Sequence, residues 1–384
     1  MSQTAPSLAE QEQAAMALEQ QGNLTQAEVA WREVLKLHPS DAGAYAHLGL
    51  LAARRQHYAD AIAFYRKALA IRPAMPEVRL DLGLAQFKSG DLKAAAQTFG
   101  PLLKSAPPQS PQAMRLNALV GMAYYGLGQF TTAIPYLKKA AADDPANVGF
   151  RMTLAQCCLA AHQAPCVLDV YKELLNLNAG SAEAEMLVGE ALDEIQNHAA
   201  AIEHFRAAVK ADPRAPNAHF GLGYLLWTQN RFDEAAAEFR AELAIVPEHA
   251  QALTYLADCD IHLGKTAEAL PAAEKAVQLD PAIAKAHVDL GILYSGEGRR
   301  EDAVREFKAA IKLAPDDQDP HWRLARLYQS MGRKEDARAE FEATRKLHKA
   351  EDQSLIRRLQ PAQGSPQPAQ APAQPLPGAE TPSH

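Results

Sequence analysis

A small residue, an alanine twelve positions later and a proline twelve after that recur along this 384-residue chain at a spacing of thirty-four. The small residues are Ala15, Gly49, Gly83, Gly121, Ala155, Gly189, Gly223, Ala257, Gly291 and Ala325. The alanines are Ala27, Ala61, Ala95, Ala133, Ala201, Ala235, Ala269, Ala303 and Ala337, and the prolines Pro39, Pro73, Pro107, Pro145, Pro213, Pro247, Pro281 and Pro315. A fixed period of this length marks stacked supersecondary units, none of which can bury its apolar face alone. The repeat therefore decides the fold.

Within one period the apolar residues run at helical spacing twice, as in Leu222, Leu225 and Leu226 and then Ala235, Ala236, Phe239 and Leu243. Each unit is thus expected to be two antiparallel helices. The small residue of the first helix and the alanine of the second lie where the two backbones cross. Gly22, Gly90, Gly128, Gly264, Gly298 and Gly332 mark the turn between the helices, since glycine adopts a left-handed helix end at little cost. The closing proline cannot continue a helix and so stops the second one. An aromatic is expected to fill the core between repeats: Trp31, Tyr65, Phe99, Tyr171, Phe205, Phe239, Phe307 and Phe341.

These residues resemble the tetratricopeptide repeat family, best seen in Leu290 and Gly291 with Tyr294, Ala303, Phe307, Ala310 and Pro315, and in Leu48 and Gly49 with Tyr45, Ala61, Tyr65, Ala68 and Pro73. Ten copies in phase, beginning near Leu8, Ala42, Pro76, Met114, Val148, Ala182, Pro216, Ala250, Ala284 and Gln318, cover about nine-tenths of the chain. The resemblance implies an all-α solenoid, a right-handed superhelix of antiparallel helix pairs.

Two departures from the period stand out. Four extra residues lie in Pro107–Pro111, and the fifth repeat has Val167 for the alanine and Ala179 for the proline. The insertion is expected to loosen or re-aim the stack, leaving two arms. The resulting division is a short N-terminus at 1–7, repeats one to three with the proline-rich break at 8–111, repeats four to ten at 112–348, a capping or continuation helix at 349–360, and a Pro/Ala/Gln-rich tail at 361–384. With seven prolines in twenty-four residues, that tail is expected to be disordered or locally polyproline II.

A net charge of −7 gives no basic footprint of the kind that nucleic acid requires. No run of eighteen apolar residues is present to span a membrane. The first thirteen residues show neither the basic start nor the apolar core of a secretory signal, so the expected location is cytoplasmic. Arg54-Arg55 and Arg299-Arg300 read as solvated helix ends.

Catalytic patterns are absent from the sequence: there is no H-E-x-x-H, G-x-S-x-G, P-loop or dinucleotide fingerprint. Cys157, Cys158, Cys166 and Cys259 form no C-x-x-C pair and are expected to be small packing side chains rather than metal ligands or disulfide partners. His219, His287 and His321 share the fourth repeat position and read as packing substitutes for an aromatic. Glu190, Asp193 and Glu194 lie close on one helix, where a solvated acidic face is expected and no enclosed pocket to separate their pKa values. The chain is therefore read as non-enzymatic, with no cofactor and no metal.

What remains is surface recognition. In the family, positions two, five, nine, twelve and thirteen of each repeat line a concave groove. The resemblance carries this role onto Leu84 and Phe87 in the third repeat, Met122 and Tyr125 in the fourth, and Met186, Glu190, Asp193 and Glu194 in the sixth. It continues with Phe220, Tyr224 and Trp227 in the seventh, Asp258 in the eighth, and Trp322 and Arg326 in the tenth. Three aromatics on one helix face exceed what the core needs, and aromatics beside adaptable methionines suit a peptide surface. The acidic trio suits a basic or amide-rich partner. Neither the lysine, asparagine and arginine clamp for chaperone tails nor the asparagine ladder of glycosyltransferase superhelices is present. The expected function is an adaptor holding a peptide or helix of a partner protein. The alternatives are a self-associating scaffold or a recruiting subunit of an envelope or glycan-handling enzyme.

Overall fold

The computed structural model describes residues 7–177 and 180–359, without the side chains of 351, 352 and 354–359. The expectations for the tail, for Ala179 and for the apolar face of 355–359 lie outside the described residues. Twenty helices and no strand are found among the described residues. They fall into two compact units, Met1–Val246 and Pro247–His384. The first unit holds α1 (Leu8–Gln20), α2 (Leu24–Leu37), α3 (Ala42–Arg54), α4 (Tyr58–Ile71), α5 (Pro76–Lys88), α6 (Leu92–Ser105), α7 (Pro111–Gly126), α8 (Phe130–Asp143), α9 (Val148–Ala160), α10 (Ala164–Asn176), α11 (Ala182–Glu194), α12 (His198–Ala211), α13 (Ala218–Thr228) and α14 (Phe232–Ile245). The second holds α15 (Ala250–His262), α16 (Thr266–Leu279), α17 (Ala284–Gly296), α18 (Arg300–Leu313), α19 (Gln318–Ser330) and α20 (Lys334–Leu359).

The helices pack in consecutive pairs, one pair per repeat. The small first-helix residue sits under the bulky residue of its partner. A Cβ built on Gly49 would lie 2.5 Å from the Tyr65 ring, on Gly189 2.7 Å from Phe205, on Gly223 2.9 Å from Phe239 and on Gly291 2.7 Å from Phe307. Tyr65, Phe99 and Phe239 are almost wholly buried, and each such ring contributes about 1.5–3 kcal/mol of hydrophobic stabilisation. The backbones approach closely because the first helix presents no side chain there.

Every repeat turns between its helices through one left-handed residue. Six are the glycines read from the sequence, and in the other four repeats Gln56, His162, Gln196 and Asn230 adopt φ of 63°, 54°, 64° and 59°. The second helices end two residues before the closing proline, as α4 does at Ile71 before Pro73 and α16 at Leu279 before Pro281.

The extra residues at Pro107–Pro111 are absorbed by lengthening α7. Ser110 caps that helix through the Ala113 amide and Pro111 takes its first turn, where no amide is needed. Phe99 and Leu102 before the insertion share one core with Leu116 and Val120 after it. At the other end α20 runs unbroken through residue 349.

Three expectations are corrected. Cys158 and Cys166 are joined by a disulfide that ties α9 to α10, their Cα atoms 5.8 Å apart; Cys157 and Cys259 are free and buried. Adjacent helix ends brought these sulfurs together across eight residues of sequence, a turn geometry that spacing alone did not reveal. His219, His287 and His321 are not aromatic substitutes but partners of Glu238, Glu306 and Glu340 on the second helix of the same repeat, at 2.5, 2.7 and 2.6 Å. Arg55 is bonded to Glu28 and Thr25, and Arg299 lies 3.7 Å over the Tyr294 ring while holding Asp302, so neither is merely solvated.

Candidate functional site

One recess among the expected groove residues lies between α11 and α13 in the first unit. It is a cavity of about 320 Å³ lined by Glu190, Asp193, Phe205, Asn217, Phe220, Gly221, Tyr224 and Leu225. Its floor is Phe205, which a Cβ on either Gly189 or Gly221 would strike. The absence of both side chains lets α13 settle against α12.

The start of α13 is unusual. Asn217 is left-handed, at φ 69°, and offers no side-chain cap. The buried Glu242 carboxylate of α14 accepts from the Asn217 amide at 2.9 Å and the Phe220 amide at 3.2 Å instead. A negative charge at a helix N-terminus is favoured by the orphan amides and the helix dipole. Glu242 thereby fixes the helix that displays Phe220, Tyr224 and Trp227.

Those three rings form a half-buried ladder, Phe220 to Tyr224 at 6.5 Å and Tyr224 to Trp227 at 5.9 Å between centroids, both near parallel. Across the cavity Asp193 is bonded to His198 at 2.8 Å; the next residue, Glu194, lies outside the lining and is bonded to His162 at 2.9 Å. Glu190 is exposed and, among the described residues, its carboxylate has no hydrogen-bond or ion-pair partner. The surrounding protein and, next, the Glu194 carboxylate push its pKa up. Glu190 and Glu194 are exposed, as a solvated acidic face requires, and Glu190 and Asp193 also line the recess. A carboxylate opposite aromatic faces attracts a cation, through charge and through the ring quadrupoles.

The remaining predicted residues divide. Leu84 and Phe87 pack partly into the core of repeats three and four, and Met186 into that of repeats six and seven. Met122 is half-buried, and Tyr125 donates to Gln156 at 2.8 Å. In the second unit Asp258 is not an open groove residue. It is 5% exposed, accepting from Lys285 at 2.6 Å. Burial opposes the charge on Lys285, but Asp289 and Asp258 outweigh it and raise its pKa. Trp322 is 42% exposed with the Arg326 guanidinium 5.1 Å over its ring, and both line a cavity of about 290 Å³ with Ile292, Ser295 and Arg323. Sequence reasoning missed Lys285, Arg323 and Glu242; the first two stand at repeat positions two and six of first helices, where register alone could have flagged Lys285.

No group of three or more metal-ligating side chains, and no helix long and apolar enough to cross a membrane, occurs among the described residues. Helix pairs in tandem, many of them closed by a small residue under an aromatic ring, define a helical-repeat protein. The chain belongs to the tetratricopeptide repeat family: one family pattern matches residues 50–119, 124–191 and 295–360, and a second matches 13–76, 168–216, 188–247 and 220–282. This is a protein-interaction scaffold.

Among curated proteins the chain is similar to the human Protein O-mannosyl-transferase TMTC1, 26% identical over 166 residues, covering 42% of this chain and 19% of that protein. It is also similar to the Arabidopsis thaliana Protein CTR9 homolog, 24% identical over 294 residues, covering 74% and 27%. The matches thus span about a fifth to a quarter of those relatives. Among solved structures it is similar to YrrB, described as a TPR protein with an unusual peptide-binding site, with a TM-score of 0.41 and 19% identity over 49% of this chain and 97% of that one.

Proposed function

We propose that the protein is a non-enzymatic adaptor that holds an extended segment of a partner protein against its first helices, with a lysine or arginine side chain of that segment seated between α11 and α13. One observation carries this reading: the unpaired Glu190 carboxylate and the Phe220 and Tyr224 rings line one recess. The aliphatic stem of a lysine or arginine packs on aromatic faces while its charge reaches an acid. An arriving cation offsets the repulsion from Glu194 that helps raise the Glu190 pKa. Binding therefore lowers that pKa, and affinity increases as pH rises through the carboxylate's titration.

The test is affinity capture from native lysate with wild type beside a Tyr224→Ala/Trp227→Ala variant shown by circular dichroism to remain helical. Partners enriched by the wild type and lost from the variant support the reading. Equal capture by both sinks it. Concentration-dependent size in light scattering would point to the self-associating scaffold, and a copurifying glycan-handling enzyme retained by the variant to the recruiting subunit.

A further inference from the structure

Cys166 of the interhelix disulfide lines a cavity of about 550 Å³ bounded by α8, α9 and α10, together with Lys138, Arg151, Asp169 and Glu173. The two sulfurs are not equivalent: Cys158 is fully buried, whereas Cys166 is partly exposed. The neighbouring thiol of Cys157 is also fully buried, and burial raises its pKa to about 11, so it stays protonated and inert. The acids at the cavity are already engaged. Glu173 accepts from Arg151 at 2.9 Å, and Asp169 from Lys172 at 3.1 Å. Lys138 is exposed and, among the described residues, has no carboxylate partner. With Asp169 paired to Lys172 just outside the cavity, Lys138 is the lining cation left without an acid.

We propose that the Cys158–Cys166 bridge is a thiol-exchange site, entered through this cavity at Cys166 and selective for small thiols that carry a negative charge. In the first step the thiolate sulfur of the incoming molecule bonds to Sγ of Cys166. The bond between the two cysteines breaks, and its electron pair leaves on Sγ of Cys158, which takes a proton from water. In the second step another thiolate attacks the incoming sulfur of this mixed disulfide, forming a small-molecule disulfide and leaving Cys166 as a thiol. Two small thiols are oxidised and one protein disulfide is reduced. Lys138 draws the anionic group of the thiol to the mouth and places its sulfur near Cys166. The consequence falls on the fifth repeat, where the bridge adds a second covalent link between α9 and α10 to the backbone turn at 161–163.

The experiment measures bridge opening in the folded full-length protein with glutathione, which is anionic, neutral β-mercaptoethanol and cationic cysteamine, each rate divided by that thiol's rate on a small-molecule disulfide. Glutathione is expected to exceed cysteamine by roughly two- to fivefold, the effect of one exposed opposite charge, and Lys138→Glu to reverse the order. With oxidised glutathione, peptide mapping is expected to find the adduct on Cys166 in a Cys158→Ser variant, and little on Cys158 in a Cys166→Ser variant. Equal normalised rates for the three thiols overturn the selectivity. Equal labelling in the two serine variants overturns entry at Cys166, and alkylation of both cysteines in the untreated folded protein overturns the bridge itself.

Discussion

Nδ1 of His287 lies 2.7 Å from Oε2 of Glu306, and its Nε2 lies 3.1 Å from the carbonyl oxygen of Pro281. Both ring nitrogens thus face acceptors, and only the doubly protonated ring can donate to both. The hydrogen bond donated to Glu306 is the largest influence and raises the His287 pKa; burial opposes it, and the Pro281 carbonyl adds to the rise. A folded pKa above the unfolded value means that this contribution to stability is complete below about pH 6.5, the ordinary histidine value. It is lost as pH climbs through the folded pKa. Amide exchange in α17 and α18 is therefore expected to quicken as pH rises above about 6.5, beyond its intrinsic rise, and His287→Gln to remove that excess. An excess unchanged in the variant would contradict the assignment.

Two glycines of α17 give opposite predictions. A Cβ on Gly291 meets the buried Phe307 ring at 2.7 Å, while one on Gly296 meets nothing within 4 Å. Gly291→Ala should destabilise the protein by about 1–3 kcal/mol through overpacking. Gly296→Ala should be neutral or stabilising by up to about 1 kcal/mol, because alanine loses less backbone entropy than glycine in a helix. Urea unfolding midpoints decide, and equal shifts would contradict the packing account.

Gln196 holds the left-handed turn of the sixth repeat, at φ 64°, without glycine's freedom. That conformation costs an ordinary side chain roughly 1–2 kcal/mol, partly offset by glycine's own entropy loss. Gln196→Gly should therefore raise stability by up to about 1 kcal/mol. A lower melting temperature for the variant would show that the glutamine side chain is needed there.

Glu242 is the cap that α13 lacks from its own sequence. Glu242→Ala removes the acceptor for the Asn217 and Phe220 amides at a fully buried position and should cost about 1–3 kcal/mol. Hydrogen exchange should show the loss first in the opening turn of α13. Protection unchanged at Phe220 would contradict the capping role.

The fold was legible because its determinants are periodic. The small residue, the alanine and the proline report one packing arrangement each time they recur, and the helix pairs fall in that register. The left-handed turns at Gln56, His162, Gln196 and Asn230 were not legible, because the stacked helices impose the turn whatever residue occupies it. Phe220, Tyr224 and Trp227 were legible as sharing one face of α13, since helical spacing fixes a face. Its cavity was not foreseen, because it depends on Gly189 and Gly221 both making room around Phe205. The burial of Asp258 and the disulfide were missed for a related reason: each arises from a partner on another helix, Lys285 and Cys166, and periodicity says nothing of such pairs.

In the proposed adaptor, Glu190 and Tyr224 form the seat for a basic side chain. The most direct measurement is selection of a phage-displayed peptide library on the wild-type protein, with counter-selection on Glu190→Gln and Tyr224→Ala. Wild type is expected to enrich peptides with lysine or arginine at one fixed position, and both variants to lose that enrichment while remaining folded. Enrichment without a basic residue, or the same peptides recovered on Glu190→Gln, would contradict the account.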